Sequence, residues 1–372
     1  MEKLVINGGT KLKGEVSILG AKNSAIAILP ATLLCDGVCT LHNVPNIIDV
    51  RLSCQILESL GSKITWEGSN SLIIDNRNIS RTHAPLDLTS KFRASYYLIG
   101  SMLGRCREIE VGLPGGCNLG ARPIDQHIKG FEALGAYSNL SQGKVYCKAK
   151  TLIGTNIYMD VVSVGATINI LLASVLASGT TTIDNAAKEP HVVDVANFLN
   201  TLGADIRGAG TDLIKINGVK SLKNNVTYSI VPDQIEAGTF MLAAVASKGD
   251  IIIKNCIPEH LDSLISKIIE RDQGIEELNL TLSHPARELL FDHAIFGQGF
   301  GFGIHYAIPV RNTNTNIVEG CIIYQINEEI HDNFNLKAKI KAPLFIDSEK
   351  YNTLPIQQKS CLVFFKRWKE QG

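Results

Sequence analysis

A recurring unit does most to limit how this chain can fold. Apolar-periodic segments end in Leu-Gly at Leu60-Gly61, Leu134-Gly135 and Leu202-Gly203, a spacing of about 70 residues that marks an internal repeat. Gly37-Val38-Cys39-Thr40-Leu41 leads into the first of these segments, and Gly179-Thr180-Thr181-Thr182-Ile183 leads into a similar one. Gly249-Asp250-Ile251-Ile252-Ile253 begins another, which reaches Ile268-Ile269-Glu270. Each unit reads as a β-rich run, an amphipathic helix and further strand. The closing glycine suits the left-handed conformation that often follows a helix. Val192–Leu199 carries the 3.6-residue apolar stripe of a helix packed on one face. The repeat therefore predicts an α/β fold assembled from strand–helix modules.

The regularity stops after Glu270. A further helix end is expected near position 272, where the chain reads Arg271-Asp272-Gln273. Eight of the twelve phenylalanines fall in residues 271–372, among Asn-rich, Gly-Phe-rich and Lys-rich patches. This last stretch reads as a different sequence joined to the first.

Lys plus Arg and Asp plus Glu number 36 each, so the formal charge is zero. A general nucleic-acid or anionic-membrane surface needs a positive field, so neither partner is expected, although a local basic pocket for a small phosphate ligand remains open. No apolar run approaches the roughly 20 residues of a membrane span, and the N-terminus lacks a signal-peptide core. Nine cysteines without CxxC pairs or zinc-type histidine spacing point to reduced thiols and a cytosolic setting.

One cysteine stands apart. In Gly115-Gly116-Cys117-Asn118-Leu119-Gly120-Ala121-Arg122 the glycines make a flexible loop, and Arg122 favours a thiolate at Cys117; a structural loop cysteine is the plainer alternative. Lys22-Asn23-Ser24 opens a helix-like run, where free backbone N–H groups suit an anion, or else Lys22 is an exposed lysine beside a cap. Arg93, ahead of an apolar helix, offers a two-pronged clamp for a phosphate or carboxylate, or is an ordinary surface arginine. Ser163-Val164-Gly165 is a small-residue turn into a helix, suited to phosphate but common in α/β proteins. Arg122-Pro123-Ile124-Asp125-Gln126-His127 places a cation, a carboxylate and an imidazole in six positions, for a nucleotide sugar or simply as an exposed helix start.

In their order and wording these segments resemble the UDP-N-acetylglucosamine 1-carboxyvinyltransferase family of enolpyruvyl transferases. The likeness rests on Gly20-Ala21-Lys22-Asn23-Ser24, Arg93-Ala94-Ser95, Cys117–Asp125, Ser163-Val164-Gly165-Ala166-Thr167 and Pro232-Asp233-Gln234-Ile235-Glu236-Ala237-Gly238. It runs from Met1 to about Glu270. The related enzymes acting on shikimate 3-phosphate typically carry Lys-Ser at the first motif and lack the cysteine loop.

The resemblance implies a two-domain fold of repeated βαβαββ units, an inside-out α/β barrel in which the second domain is incomplete. Residues 21–231 would form the first domain and residues 1–20 with 232–270 part of the second, leaving 271–372 as a divergent tail. It also implies transfer of the enolpyruvyl group of phosphoenolpyruvate to the 3-hydroxyl of UDP-N-acetylglucosamine, with release of phosphate, as the first committed step of peptidoglycan synthesis. No metal or cofactor is implied. Lys22 and Arg122 would bind phosphoenolpyruvate, supported by Asn23. Arg93 and the run Arg122, Pro123, Ile124, Asp125 and Gln126 would hold the nucleotide sugar. The turn Val161, Val162, Ser163, Val164 and Gly165 would approach its diphosphate or uracil. Cys117 would protonate the methylene carbon and be the residue that fosfomycin alkylates.

Gln234 stands where the family usually has arginine, and Gln126 where it often has leucine. The family's Phe-Pro-Thr-Asp-Met-Gln, Glu-Asn-Arg-Phe and Asp-Leu-Arg-Ala-Gly segments are absent after residue 270. Their loss leaves a non-catalytic remnant, still able to bind UDP-N-acetylglucosamine, as the alternative to a working transferase.

Overall fold

A computed structural model of the protein describes residues 8–91, 93–113 and 123–268, together with three strands at 305–311, 318–325 and 344–346. The chain divides into two units, one of Gly14–Ala237 with Ile252–Leu261, the other of Met1–Lys13, Gly238–Ile251 and Asp262–Gly372.

In the first unit the repeat becomes three sheets around buried helices. β1 (Lys13–Ser17) leads to α1 (Lys22–Ala31), β2 (Val38–His42), α2 (Ile48–Leu60), β3 (Lys63–Glu67) and β4 (Ser71–Asp75). After the short α3 (Leu86–Thr89) come α4 (Tyr97–Cys106), β5 (Glu108–Gly112), α5 (Asp125–Ala133), β6 (Tyr137–Ser141) and β7 (Lys144–Lys148). The third module is β8 (Asn156–Tyr158), α6 (Val164–Ser174), β9 (Thr180–Asp184), α7 (Pro190–Thr201), β10 (Asp205–Arg207) and β11 (Leu213–Asn217). β12 (Asn225–Ser229) returns to the first sheet, which runs β12-β2-β4-β3; the others run β5-β7-β6 and β10-β11-β9-β8. β12 lies parallel to β2 and β8 to β9, while the hairpin pairs are antiparallel.

Strand burial alternates, as in β4, β7 and β11, so each sheet turns one face to the core and the other to solvent. The helices lie inside. α6, VGATINILLAS, has nine of its eleven residues buried, the behaviour of a helix apolar on all sides. It crosses α4 closely at Gly100, where an added Cβ would stand 2.4 Å from the Asn169 carbonyl oxygen. The Asn169 side chain fastens this crossing, accepting the Gly100 N–H at 3.0 Å and donating to the Gly165 carbonyl at 3.0 Å. Phe131 and Phe198 are fully buried, each stabilising the core by about 2–3 kcal/mol.

The Leu-Gly endings are helix ends, as the sequence predicts. Gly61, Gly135 and Gly203 have φ of 118°, 92° and 100°, a region open to glycine and strained for other residues. The β-rich run Ile251–Ile253 lies in β13 (Asp250–Lys254), which pairs with β1. Between β12 and β13 lies α8 (Gln234–Ser247), and residues 262–268 are helical. In the second unit β14 (His305–Arg311), β15 (Val318–Gln325) and β16 (Leu344–Ile346) form an antiparallel sheet in that order. No helix among the described residues is long and apolar enough to cross a membrane.

Candidate functional site

The sequence candidates fall into two groups within the first unit. The first surrounds the start of α1. Lys22 is the first residue of that helix and Asn23, half-buried, the second. The expectation that the opening amides await an external anion is only partly met, because the Asp233 Oδ2 carboxylate oxygen accepts the Lys22 N–H at 2.9 Å. The Lys22 ammonium forms an ion pair with Asp49, in the first turn of α2. About half of the lysine side chain remains exposed, so the cation is both oriented and accessible.

The Pro232–Glu236 motif explains this placement. Asp233 Oδ1 accepts the N–H groups of Ile235 at 2.8 Å and Glu236 at 3.2 Å, capping the start of α8. Asp-x-x-Glu reads as a capping box, but Glu236 turns outward and accepts the Leu19 N–H at 2.9 Å. With the Gly20–Pro232 bridge and the Ala21 N–H donated to the Val231 carbonyl, two distant stretches are sewn side by side and Lys22 is set at their junction.

The second group gathers at the starts of α5 and α6. Ser163 caps α6, its hydroxyl accepting the Ala166 N–H at 3.3 Å. Val164 and Gly165 open the helix, and Val161 and Val162 before it are 59% and 57% exposed. Gly165 lies against His127, where an added Cβ would meet the imidazole Nε2 at 2.8 Å. His127 is 5% exposed and packs 5.9 Å from the Tyr96 ring, with its Nδ1 unpartnered. Burial, and then the positive field of Arg93, push its pKa down to about 4, opposed by Asp125. It is held as a neutral imidazole.

Pro123 and Asp125 are exposed, while Ile124 and Gln126 are buried. Gln126 accepts the Asp160 N–H at 3.0 Å, and its amide donates at 3.1 Å to both Asp125 Oδ2 and Asp160 Oδ2. Lys129 completes the cluster, donating to Asp160 Oδ1 at 2.7 Å. Beside it opens a groove with Leu113, Ile124, Ile128 and Leu140 along its walls and Asp125 and Lys129 at its edge. Arg93, exposed ahead of α4, acts electrostatically on His127, Tyr96 and Tyr97.

A line of ionisable groups joins the two clusters. Tyr97, pushed up by burial, responds to both Arg93 and Glu189. His191, pushed down by burial, responds to both Glu189 and Asp233. Cys117 and Arg122 lie outside the described residues. Among those that are described, no group of three His, Cys, Asp or Glu side chains is arranged to hold a metal ion.

Asp49 and Asp160 escaped the sequence reading, and Asp233 entered it only through the family motif. Asp233 had a local signal, the Asp-x-x-Glu cap pattern, but nothing in the sequence points it at Lys22. Asp49 and Asp160 carry no spacing signal, since their partners are 27 and 34 positions away.

The chain and its fold have counterparts among known proteins. The family model described as EPSP synthase (3-phosphoshikimate 1-carboxyvinyltransferase) matches residues 6–281. A UDP-N-acetylglucosamine 1-carboxyvinyltransferase of Clostridium botulinum is 58% identical over 278 residues, covering 74% of this chain and 66% of the relative. One of Caldanaerobacter subterraneus is 54% identical over 277 residues, with the same coverage. The chain thus spans just under two thirds of the length of these relatives. The enolpyruvyl transferase NikO from Streptomyces tendae superposes with a TM-score of 0.57 at 26% identity, over 64% of this chain and 56% of that one. The EPSP synthase from Acinetobacter baumannii, at 18% identity, shares the fold with a TM-score of 0.54 over 67% of this chain and 57% of its own. The continuous match over residues 6–281, with repeated α/β modules behind it, makes this chain a member of the enolpyruvyl transferase family, the family of EPSP synthase.

Proposed function

We propose that this chain acts as a UDP-N-acetylglucosamine 1-carboxyvinyltransferase, moving the enolpyruvyl group of phosphoenolpyruvate to the sugar 3-hydroxyl in the cytoplasm. One observation carries the reading: the chain is 58% identical over 278 residues to a relative named for this activity, and the family match over residues 6–281 takes in Lys22, Arg93, Cys117, Arg122, Asp125 and the Ser163–Gly165 turn. The shikimate-specific reading is disfavoured by the cysteine loop and by Asn23 beside Lys22.

In the proposed reaction the sugar hydroxyl attacks C2 of phosphoenolpyruvate while C3 gains a proton from Cys117. The tetrahedral adduct then returns a C3 proton to the Cys117 thiolate as it expels phosphate, which restores the carbon–carbon double bond, and the proton of the sugar hydroxyl leaves with the phosphate. Lys22 and Arg122 hold the phosphate and carboxylate as charge redistributes at C2, the task for which fixed cations are most effective. The Asp49 pair and the Asp233 hydrogen bond keep Lys22 from sampling other orientations, so less ordering remains at the moment of binding. The Ser163–Gly165 turn takes the diphosphate, where the first amides of α6 and the helix dipole favour negative charge. Residues 21–231 act as the first domain and residues 1–20 with 232–270 supply part of the second, leaving 271–372 as a divergent tail.

The test is phosphate release from phosphoenolpyruvate by the full chain, with and without UDP-N-acetylglucosamine, against Cys117→Ala. Sugar-dependent release that collapses in the variant supports the transferase. A folded chain that binds the sugar nucleotide without releasing phosphate is a remnant instead.

A further inference from the structure

Gln126 occupies a position that the resemblance assigns to the nucleotide, yet its side chain is spent on the protein. It is 6% exposed. Its carbonyl takes the Asp160 N–H, and its amide reaches the carboxylates of Asp125 and Asp160. The backbone around Asp160 is fastened from the other side as well. The Met159 N–H donates to the Asp184 carbonyl at 3.0 Å, and Asn185 Nδ2 donates to the Met159 carbonyl at 2.9 Å. Three residues after Asp160, Ser163 is fixed by its own cap on α6. Val161 and Val162, both largely exposed, therefore hang on a span anchored at each end.

We propose that Asp160, acting through Gln126, is a positioning residue that sets the Asp125 carboxylate and the Val161–Val162 span for the nucleoside end of the ligand. The inference rests on the sugar-nucleotide reading of this site and adds to it a residue that touches no ligand. The geometry supports it in two ways. The Gln126 amide bridges the two carboxylates, so one oxygen of the exposed Asp125 side chain is held in a fixed orientation. Lys129 also balances the charge of Asp160, so the two nearby carboxylates do not repel each other without compensation. A buried amide making three such bonds is costly to leave half-satisfied, so removing either partner loosens the whole turn.

The experiment compares Gln126→Leu, Asp160→Ala and Asp160→Asn with the unaltered chain. Binding of UDP and of UDP-N-acetylglucosamine is read by calorimetry, backbone exchange over residues 158–166 by mass spectrometry, and unfolding midpoints are recorded for each. Gln126→Leu removes all three bonds and should weaken both ligands about ten-fold, while speeding exchange over 158–166. Asp160→Ala should weaken them by about five-fold. Asp160→Asn keeps an acceptor for the Gln126 amide and should recover most of that loss. Unchanged exchange in Gln126→Leu, or equal affinity in the Ala and Asn variants, overturns the inference. If the unaltered chain binds neither ligand, the proposed function falls and the exchange result alone decides the positioning role.

Discussion

The Asp233 carboxylate accepts the backbone N–H of Lys22 at 2.9 Å with one oxygen while capping α8 with the other. Residues 211 positions apart are thereby held by one side chain, and the catalytic lysine of the proposed reaction inherits its position from a helix cap. Asp233→Ala should cost about 1–2 kcal/mol of stability through the lost cap. Asp233→Asn, which retains capping ability, should recover most of it in denaturant titrations. Equal loss in both variants would show that the carboxylate charge, not the cap, is what matters.

His127 makes acid stability a readout of the second cluster. Its folded-state pKa of about 4 lies below the unbound value of 6.5, so between those values the unfolded chain binds more protons. Stability from this residue is fully present above pH 6.5, falls as pH drops toward 4, and is lost below that. The change is at most about 3 kcal/mol. His127→Gln should flatten this part of the stability–pH curve.

Gly165 leaves room for that imidazole. Gly165→Ala places a methyl 2.8 Å from His127 Nε2 and should destabilise by about 1–3 kcal/mol, with weaker UDP-N-acetylglucosamine binding as the turn shifts. Double substitution with His127→Ala should restore part of the stability. If it restores none, the clash is not the cause.

At the α4–α6 crossing the obstacle is backbone. Gly100→Ala drives a Cβ to 2.4 Å from the Asn169 carbonyl oxygen, which cannot rotate away. We expect a loss of more than about 3 kcal/mol, or failure to accumulate as folded protein, measured by circular dichroism after purification.

Tyr228 donates to the Asp194 carboxylate at 2.5 Å, and Asp194 is 1% exposed. Burial raises the Asp194 pKa while the Tyr228 hydroxyl opposes the shift. Tyr228→Phe should cost about 1–3 kcal/mol near neutrality. The penalty should shrink as pH falls through the raised pKa, because the protonated carboxyl no longer needs a donor for a buried charge. A pH-independent penalty would place the effect in packing against Phe198, which meets the Tyr228 ring at 5.4 Å.

Much of the first unit was legible in the chain itself. The Leu-Gly endings, the β-rich runs and the small-residue turn at Ser163-Val164-Gly165 depend on interactions within a few residues, so local sequence determines them: helix periodicity, glycine at positive φ, and small residues at a helix start. The continuous motif match reached the family for the same reason, since motifs are local words. What only the tertiary structure decided was partnership. Lys22 with Asp49, Asp233 with Lys22, and Gln126 with Asp160 join residues 27 to 211 positions apart, and no spacing rule encodes which carboxylate a folded sheet and helix will bring to a given amide. The fate of Gln126 is the clearest instance. The resemblance places it beside the ligand; once α5 and the turn before α6 are packed together, its side chain is bonded to Asp125 and Asp160.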